Sequence, residues 1–137
     1  MPIPHANLLA VLVSGVAIFL VGGLWYSPAL FAKPWVRLMG KIPEEIKGAA
    51  PGAGPFLMAF VCALLTAYAM AIVLNHFQPL NIVKGIMVAV LCWIGFAGST
   101  SFASAAFSGT PRALWLINSA YNLVSFIVAA VILTLWR

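Results

Sequence analysis

Four long stretches of the chain contain no Lys, Arg, Asp or Glu: residues 6–32, 48–83, 85–111 and 113–136. A bilayer core of about 30 Å requires about 20 mostly apolar residues in an α-helix. We expect the four helices at about residues 7–26, 56–74, 82–106 and 112–136. The pattern therefore predicts an all-α polytopic membrane protein, in which four transmembrane helices form one bundle and residues 1–137 form a single domain.

Composition excludes a water-soluble domain. Hydrophobic residues make up 64% of the chain and charged residues only 7%, whereas about a quarter of the residues in a soluble domain are charged. A chain of this length has no polar exterior with which to hide so much apolar surface from water. Lipid, by contrast, is a suitable solvent for the outside of a helical bundle.

The connection between the first two helices carries most of the basic residues. Lys33, Arg37 and Lys41 follow one another at intervals of four residues, so they share one face if this segment is helical. We expect a short amphipathic helix on the membrane surface, with these three side chains at anionic lipid headgroups. The net charge of +5 thus indicates membrane lipid, and not nucleic acid, as a partner.

Basic residues near the helix ends also predict the orientation in the membrane. The opposite side has only Lys84 and Arg137, whereas the first and third connections together contain Lys33, Arg37, Lys41, Lys47 and Arg112. By the positive-inside rule, the long first connection is cytoplasmic and both termini are outside.

Ionisable side chains are scarce where a reaction would need them. Glu44 and Glu45 are the only carboxylic side chains, and both lie in the first connection, so no intramembrane acid is available for proton-coupled antiport. His5 and His76 fall on the opposite side, and two histidines are too few for a closed zinc site. We predict no catalytic residues, no metal site and no cofactor, and therefore no enzymatic activity.

Uncharged polar side chains recur in the last two helices at three- and four-residue spacing, which places them on one face of each helix. This polar cluster comprises Ser101, Ser104, Asn118, Tyr121, Asn122 and Ser125. Two interpretations remain open. The cluster lines a pocket or path for a small molecule, or it forms the interhelical hydrogen bonds that hold the bundle together.

Small residues predict where helices pack closely. Ala59, Ala63, Ala67 and Ala71 form a smooth stripe along the second helix, because they are spaced by four residues. The stripe either packs inside the bundle, forms the interface of a homo-oligomer, or docks onto a larger membrane complex.

Two motifs place tryptophan, proline and asparagine at fixed offsets: GLWYSPALFAKPW at residues 23–35 and LWLINSAY at residues 114–121. In both motifs, and over essentially its whole length, the chain resembles a bacterial membrane family called domain of unknown function 1761. The resemblance implies a small four-helix protein, which we expect in the bacterial inner membrane. The family has no assigned activity, so no catalytic residue is carried over.

The motif positions lie toward one end of the predicted bundle, and we predict that this cytoplasmic end is the functional one. Besides Asn118 and Tyr121, they are Trp25, Tyr26, Ser27, Pro28, Lys33, Pro34, Trp35 and Trp115. Aromatic girdles and prolines at helix ends are also ordinary membrane architecture.

The sequence predicts a small integral membrane protein that binds or transports a small neutral molecule, in the form of a homo-oligomer. The alternative is a non-enzymatic accessory or assembly subunit of a larger membrane complex. A polar cavity that reaches the surface would favour the first function, and a fully bonded cluster beside an exposed alanine face would favour the second.

Overall fold

The computed structural model describes residues 7–27, 30, 34, 37, 54–77 and 80–136, and these residues include the four predicted helices. Helix α1 spans Leu8–Trp25, α2 spans Gly54–Asn75, α3 spans Ile82–Ser108 and α4 spans Arg112–Leu135. Every helix end lies within two residues of the predicted position. All four helices are long and apolar enough to cross a membrane, which fits a multi-pass membrane protein.

Part of the first connection falls outside the described residues. The residues of the sequence predictions that lie there are Pro28, Lys33, Trp35, Lys41, Glu44, Glu45 and Lys47. Pro34 and Arg37 are described, both with helical backbone, and Arg37 is exposed. The surface helix and its contacts with lipid headgroups therefore stay predictions.

Local side-chain and backbone chemistry explains where the helices begin and end. The Asn7 side chain accepts hydrogen bonds from two backbone N–H groups in the first turn of α1, and Asn81 accepts one from Lys84 in the first turn of α3. Both are N-cap bonds, which satisfy N–H groups that have no partner within the helix. Helix α3 ends at Gly109, whose φ of 72° is a left-handed conformation that glycine adopts readily.

Helix α4 is the central element, because it packs extensively on each of the other three helices, whereas the contact between α2 and α3 is slight. Helix α1 packs on α2 and α4, whereas α3 packs mainly on α4. Small side chains make these contacts possible, and the fully buried ones are Ala10, Ser14, Ala67, Ala89, Ala129 and Ala130. Lipid tails are as apolar as the bundle interior, so close backbone approach and van der Waals contact stabilise the bundle.

The packing of α1 on α2 is tightest at Gly15. A Cβ atom at this position would lie 3.2 Å from the Cα atom of Leu64, which is closer than ordinary contact. By comparison, a Cβ atom on Gly23 would meet nothing within 4 Å. Gly15 therefore lets the two backbones approach each other, and Gly23 does not have this role.

The alanine stripe of α2 faces its own bundle over most of its length. Ala63, Ala67 and Ala71 are buried, whereas Ala59 is exposed. Three of the four positions thus pack against neighbouring helices of the same chain. This leaves only the Ala59 end of the stripe on the surface, so a partner protein would need a different surface.

Helix α3 is covered unevenly along its length. Its first half contains the buried residues Gly85, Val88 and Ala89, and its last segment, Ser99–Ser108, contains none. A π-helical turn, Trp93–Gly98, joins the two parts. The second half of α3 therefore presents an open face.

Candidate functional site

The polar residues of α4 face two different neighbours. Those that contact α1 are Asn118 and Tyr121, together with the backbone carbonyl of Ile117. Those that contact α3 are Trp115 and Ser119. The predicted polar cluster is thus divided between two interfaces.

The last turn of α1 is bonded to α4 by two consecutive aromatic residues. The Tyr26 hydroxyl donates to Asn118 Oδ1 at 2.6 Å, and Trp25 Nε1 donates to the carbonyl oxygen of Ile117 at 2.9 Å. Tyrosine and tryptophan suit this position, because each combines a large apolar ring with one polar group that needs a partner. These bonds connect positions 92 residues apart in the chain.

Tyr121 makes a second connection between α4 and α1. Its hydroxyl donates to the carbonyl oxygen of Ile18 at 3.1 Å, and its ring meets that of Tyr26 edge to face, with centroids 5.7 Å apart. Gly22 provides the space, since a Cβ atom there would lie 2.8 Å from the Tyr121 hydroxyl. Tyr26 thus packs against Tyr121 while it donates to Asn118.

On the other side of α4, two indole rings bond α3 to α4. Trp115 Nε1 donates to Ser101 Oγ at 2.9 Å, and Trp93 Nε1 donates to the carbonyl oxygen of Ser119 at 2.9 Å. The hydroxyl oxygens of Ser101 and Ser119 are 3.4 Å apart. The Phe102 ring packs edge to face on Trp115, with centroids 4.9 Å apart.

Sequence reasoning missed Trp93, Ser119 and the π-helical turn. The turn places the Trp93 indole over Gly98, where a Cβ atom would lie 3.2 Å from the ring. The available signal for the turn was a bulky aromatic residue followed five residues later by glycine. Ser119 could have been inferred from its position directly after Asn118. Single π-helical turns inside α-helices frequently occur at functional sites.

Ser125 and Ser104 make no bond between helices. Ser125 is buried, and its hydroxyl donates to the carbonyl oxygen of Tyr121 in its own helix at 2.8 Å. Ser104 is exposed. The hydroxyl of the motif residue Ser27 likewise bonds locally, to the carbonyl oxygen of Leu24 at 2.6 Å.

Asn122 has a different environment from the rest of the cluster. It follows Asn118 by four residues and Ser119 by three, so it lies on α4 between the row that contacts α1 and the row that contacts α3. It is exposed, and its side chain bonds to none of the residues that the structure describes. Helices α1 and α3 therefore leave α4 uncovered at Asn122, and we call this position the α4 cleft.

The position of Asn122 makes an unbonded amide costly. It is near the middle of α4, a helix of 24 residues that is long enough to cross the membrane. An unbonded amide at this depth is unfavourable unless water or a ligand in the cleft bonds to it. Within the described ranges, no group of three or more His, Cys, Asp and Glu side chains surrounds a possible metal position. The α4 cleft thus offers an uncharged amide as its hydrogen-bonding group.

Tyr26→Phe and Asn118→Ala form a double-mutant cycle for the bond between α1 and α4. We expect Tyr26→Phe to lower the free energy of unfolding by about 1 kcal/mol, because Asn118 loses its donor. The coupling energy between the two changes should be about 0.6–1.7 kcal/mol. Titration with a denaturing detergent in mixed micelles measures all four variants.

Tyr68→Phe is the matched control, because Tyr68 is an exposed tyrosine on α2. It should leave the free energy of unfolding unchanged. If the changes in the free energy of unfolding caused by Tyr26→Phe and Asn118→Ala were additive in the double variant, the hydrogen bond would not be a stabilising contact.

A comparison with curated proteins and another with solved structures find no match. The family model described as Protein of unknown function (DUF1761) matches residues 9–134. This range covers nearly the whole chain, includes both sequence motifs and every residue of the polar cluster, and confirms the resemblance inferred from the sequence. The chain belongs to the DUF1761 family of proteins of unknown function.

Proposed function

We propose that this protein binds a small neutral molecule through Asn122 in the α4 cleft, or carries such a molecule across the membrane. The exposed amide at mid-helix is the observation that supports this function. Asparagine provides one acceptor and two donors, so a molecule with a hydroxyl, amide or carbonyl group is a suitable ligand. Its hydrogen bonds would replace those that hydrocarbon cannot supply.

The scarcity of charged residues within the helices supports a neutral ligand. Lys84 and Arg112 are the only charged residues within the four helices, and each lies in the first turn of its helix. A charged ligand at mid-membrane would need an opposite charge nearby to offset its desolvation. The amide of Asn122 supplies hydrogen bonds without charge.

Asn122→Leu tests this function. Native mass spectrometry of protein extracted gently from its own membrane should find a small molecule on the wild type and a loss of most of it on Asn122→Leu, because the amide is removed. Ser125→Ala is the matched control, since the Ser125 hydroxyl already bonds its own helix. Equal retention by wild type and Asn122→Leu would contradict the proposal.

A second candidate function is that of an accessory subunit which assembles through α3. Gly95, Ser99 and Ala103 are exposed and spaced by four residues, and a Cβ atom on Gly95 would meet nothing within 4 Å. Small residues at this spacing are typical of faces where another transmembrane helix packs closely. The face would suit a helix of a larger complex, or a second copy of this chain in a homo-oligomer.

Gly95→Leu tests the assembly function. The larger side chain should fill the α3 face, so a second polypeptide that co-purifies at fixed stoichiometry is expected to dissociate. Gly23→Leu adds the same side chain at an exposed glycine of α1 and should leave the assembly intact. A wild-type protein that is monomeric and free of other polypeptides would argue against this function.

We also infer that the end of the bundle where α1 ends and α4 begins faces the cytoplasm of a bacterium. Arg37 and Arg112 are at this end, and the remaining basic residues of the first connection belong to it by sequence. A reporter fused to the C-terminus should then be active outside the cytoplasm. Activity of the reporter inside the cytoplasm would reverse the orientation.

A further inference from the structure

The side-chain amide of Asn118 is bonded at its oxygen only. Tyr26 donates to Oδ1, so the two N–H groups of Nδ2 are the part of the amide that remains, and Nδ2 bonds to none of the described residues. Nδ2 is not enclosed either, because the buried side-chain atoms without a partner in the described part of the chain are the hydroxyl oxygens of Ser14 and Thr134. Half-buried Asn118 therefore presents hydrogen-bond donors to the space beside α4.

Asn122 lies one turn further along α4, on the face that the helix turns toward the bundle. Ser125, Ala129 and Leu133 follow it at three, seven and eleven residues, a spacing that places all four side chains on one face. These three side chains are 5% exposed or less, whereas Asn122 is exposed. The space at Asn122 is therefore an opening in the inner face of α4, and not part of its outer surface.

The first turns of α2 do not close this opening. Tyr121 bonds to Ile18 of α1. The next residue of α1, Phe19, meets Phe60 of α2 edge to face, with ring centroids 5.7 Å apart. The level of Tyr121 thus corresponds to a part of α2 that precedes Ala63, its first buried residue. At this level α2 contributes no buried residue, and the α4 cleft remains open on that side.

Side chains four residues apart on a helix are neighbours, with Cβ atoms about 6 Å apart. We propose that Asn118 and Asn122 together bind the carboxamide group of one small neutral molecule. This inference rests on the function proposed for the α4 cleft and names the class of its ligand. Asn122 accepts from the ligand N–H through Oδ1 and donates to the ligand carbonyl through Nδ2, and Asn118 Nδ2 donates to the second lone pair of the same carbonyl.

A carboxamide is the group that satisfies both side chains. Asn118 offers donors only, because Tyr26 already occupies its oxygen, so the ligand needs an acceptor at this position. Asn122 offers a donor and an acceptor side by side, which an amide matches with two parallel hydrogen bonds. A ketone or an ester would leave Oδ1 of Asn122 without a donor, and a single hydroxyl does not span both ends of its amide.

Side-chain NMR of the full chain, labelled with 15N-asparagine in detergent micelles, tests the proposal. Benzamide is the probe, and acetophenone is the matched control, because it has nearly the same shape and a methyl group in place of the amide nitrogen. Benzamide should shift the side-chain resonances of Asn118 and Asn122 together and leave those of the N-cap residues Asn7 and Asn81 in place. Acetophenone should bind about tenfold more weakly, which corresponds to about 1.4 kcal/mol for the hydrogen bond that it lacks.

Two leucine substitutions separate the contributions of the asparagines. Asn118→Leu should weaken the binding of benzamide and acetophenone by the same factor, about tenfold, because both carbonyls accept from Asn118. Asn122→Leu should abolish the preference for benzamide, because the ligand N–H then has no acceptor. Asn7→Ser retains an N-cap residue outside the cleft and should change neither the affinity nor the preference. Affinities are compared after partition of each probe into protein-free micelles has been measured.

Resonance shifts of Asn122 alone, with equal affinities for benzamide and acetophenone, would overturn the carboxamide site and leave the binding function of the α4 cleft intact. The absence of a shift at both asparagines, up to the solubility limit of benzamide, would also overturn the site. The binding function itself is tested separately, since it fails if Asn122→Leu retains the native small molecule as well as the wild type does.

Discussion

Hydrogen bonds from both sides of α4 are the interaction on which the rest of this bundle depends. Lipid is as apolar as the bundle interior, so burial of apolar surface does not by itself bring transmembrane helices together. The indole N–H groups of Trp25 and Trp93 donate to the α4 carbonyls of Ile117 and Ser119. Because these acceptors belong to the backbone, the hydrogen bonds fix the positions along α4 at which α1 and α3 pack. Small buried residues let the helices approach each other closely.

The same arrangement determines which polar groups remain available. Tyr26 and Tyr121 use their hydroxyls between α1 and α4, and Ser101 receives the indole N–H of Trp115. Of the set that the sequence presents as one cluster, Ser101, Asn118 and Tyr121 form interhelical bonds. Asn122 lies between the two bonded rows, and this is why the proposed ligand site centres on its amide and the cleft around it.

The length and apolar character of each segment were sufficient to predict four helices, because a helix must satisfy its own backbone bonds in lipid. The division of the polar cluster was not predictable, since periodicity shows which residues share a face but not which neighbouring helix lies there. The π-helical turn was not predicted, because the sequence was interpreted with the 3.6 residues per turn of an α-helix. That period does not bring Trp93 and Gly98, five residues apart, together. Ala59 was expected to pack like Ala63, and it is exposed because α2 buries only its later turns.

The most direct test of an open, polar α4 cleft is labelling with a polar maleimide in native membranes. Cysteines are introduced one at a time as Asn122→Cys and Ser125→Cys, after Cys62 and Cys92 have been replaced by alanine. Asn122→Cys should react, because the proposed cleft admits water to a side chain that the bundle leaves exposed, while Ser125→Cys should react only after denaturation, because position 125 is buried. Failure of Asn122→Cys to react before denaturation would mean that lipid or protein covers position 122, and it would contradict the cleft.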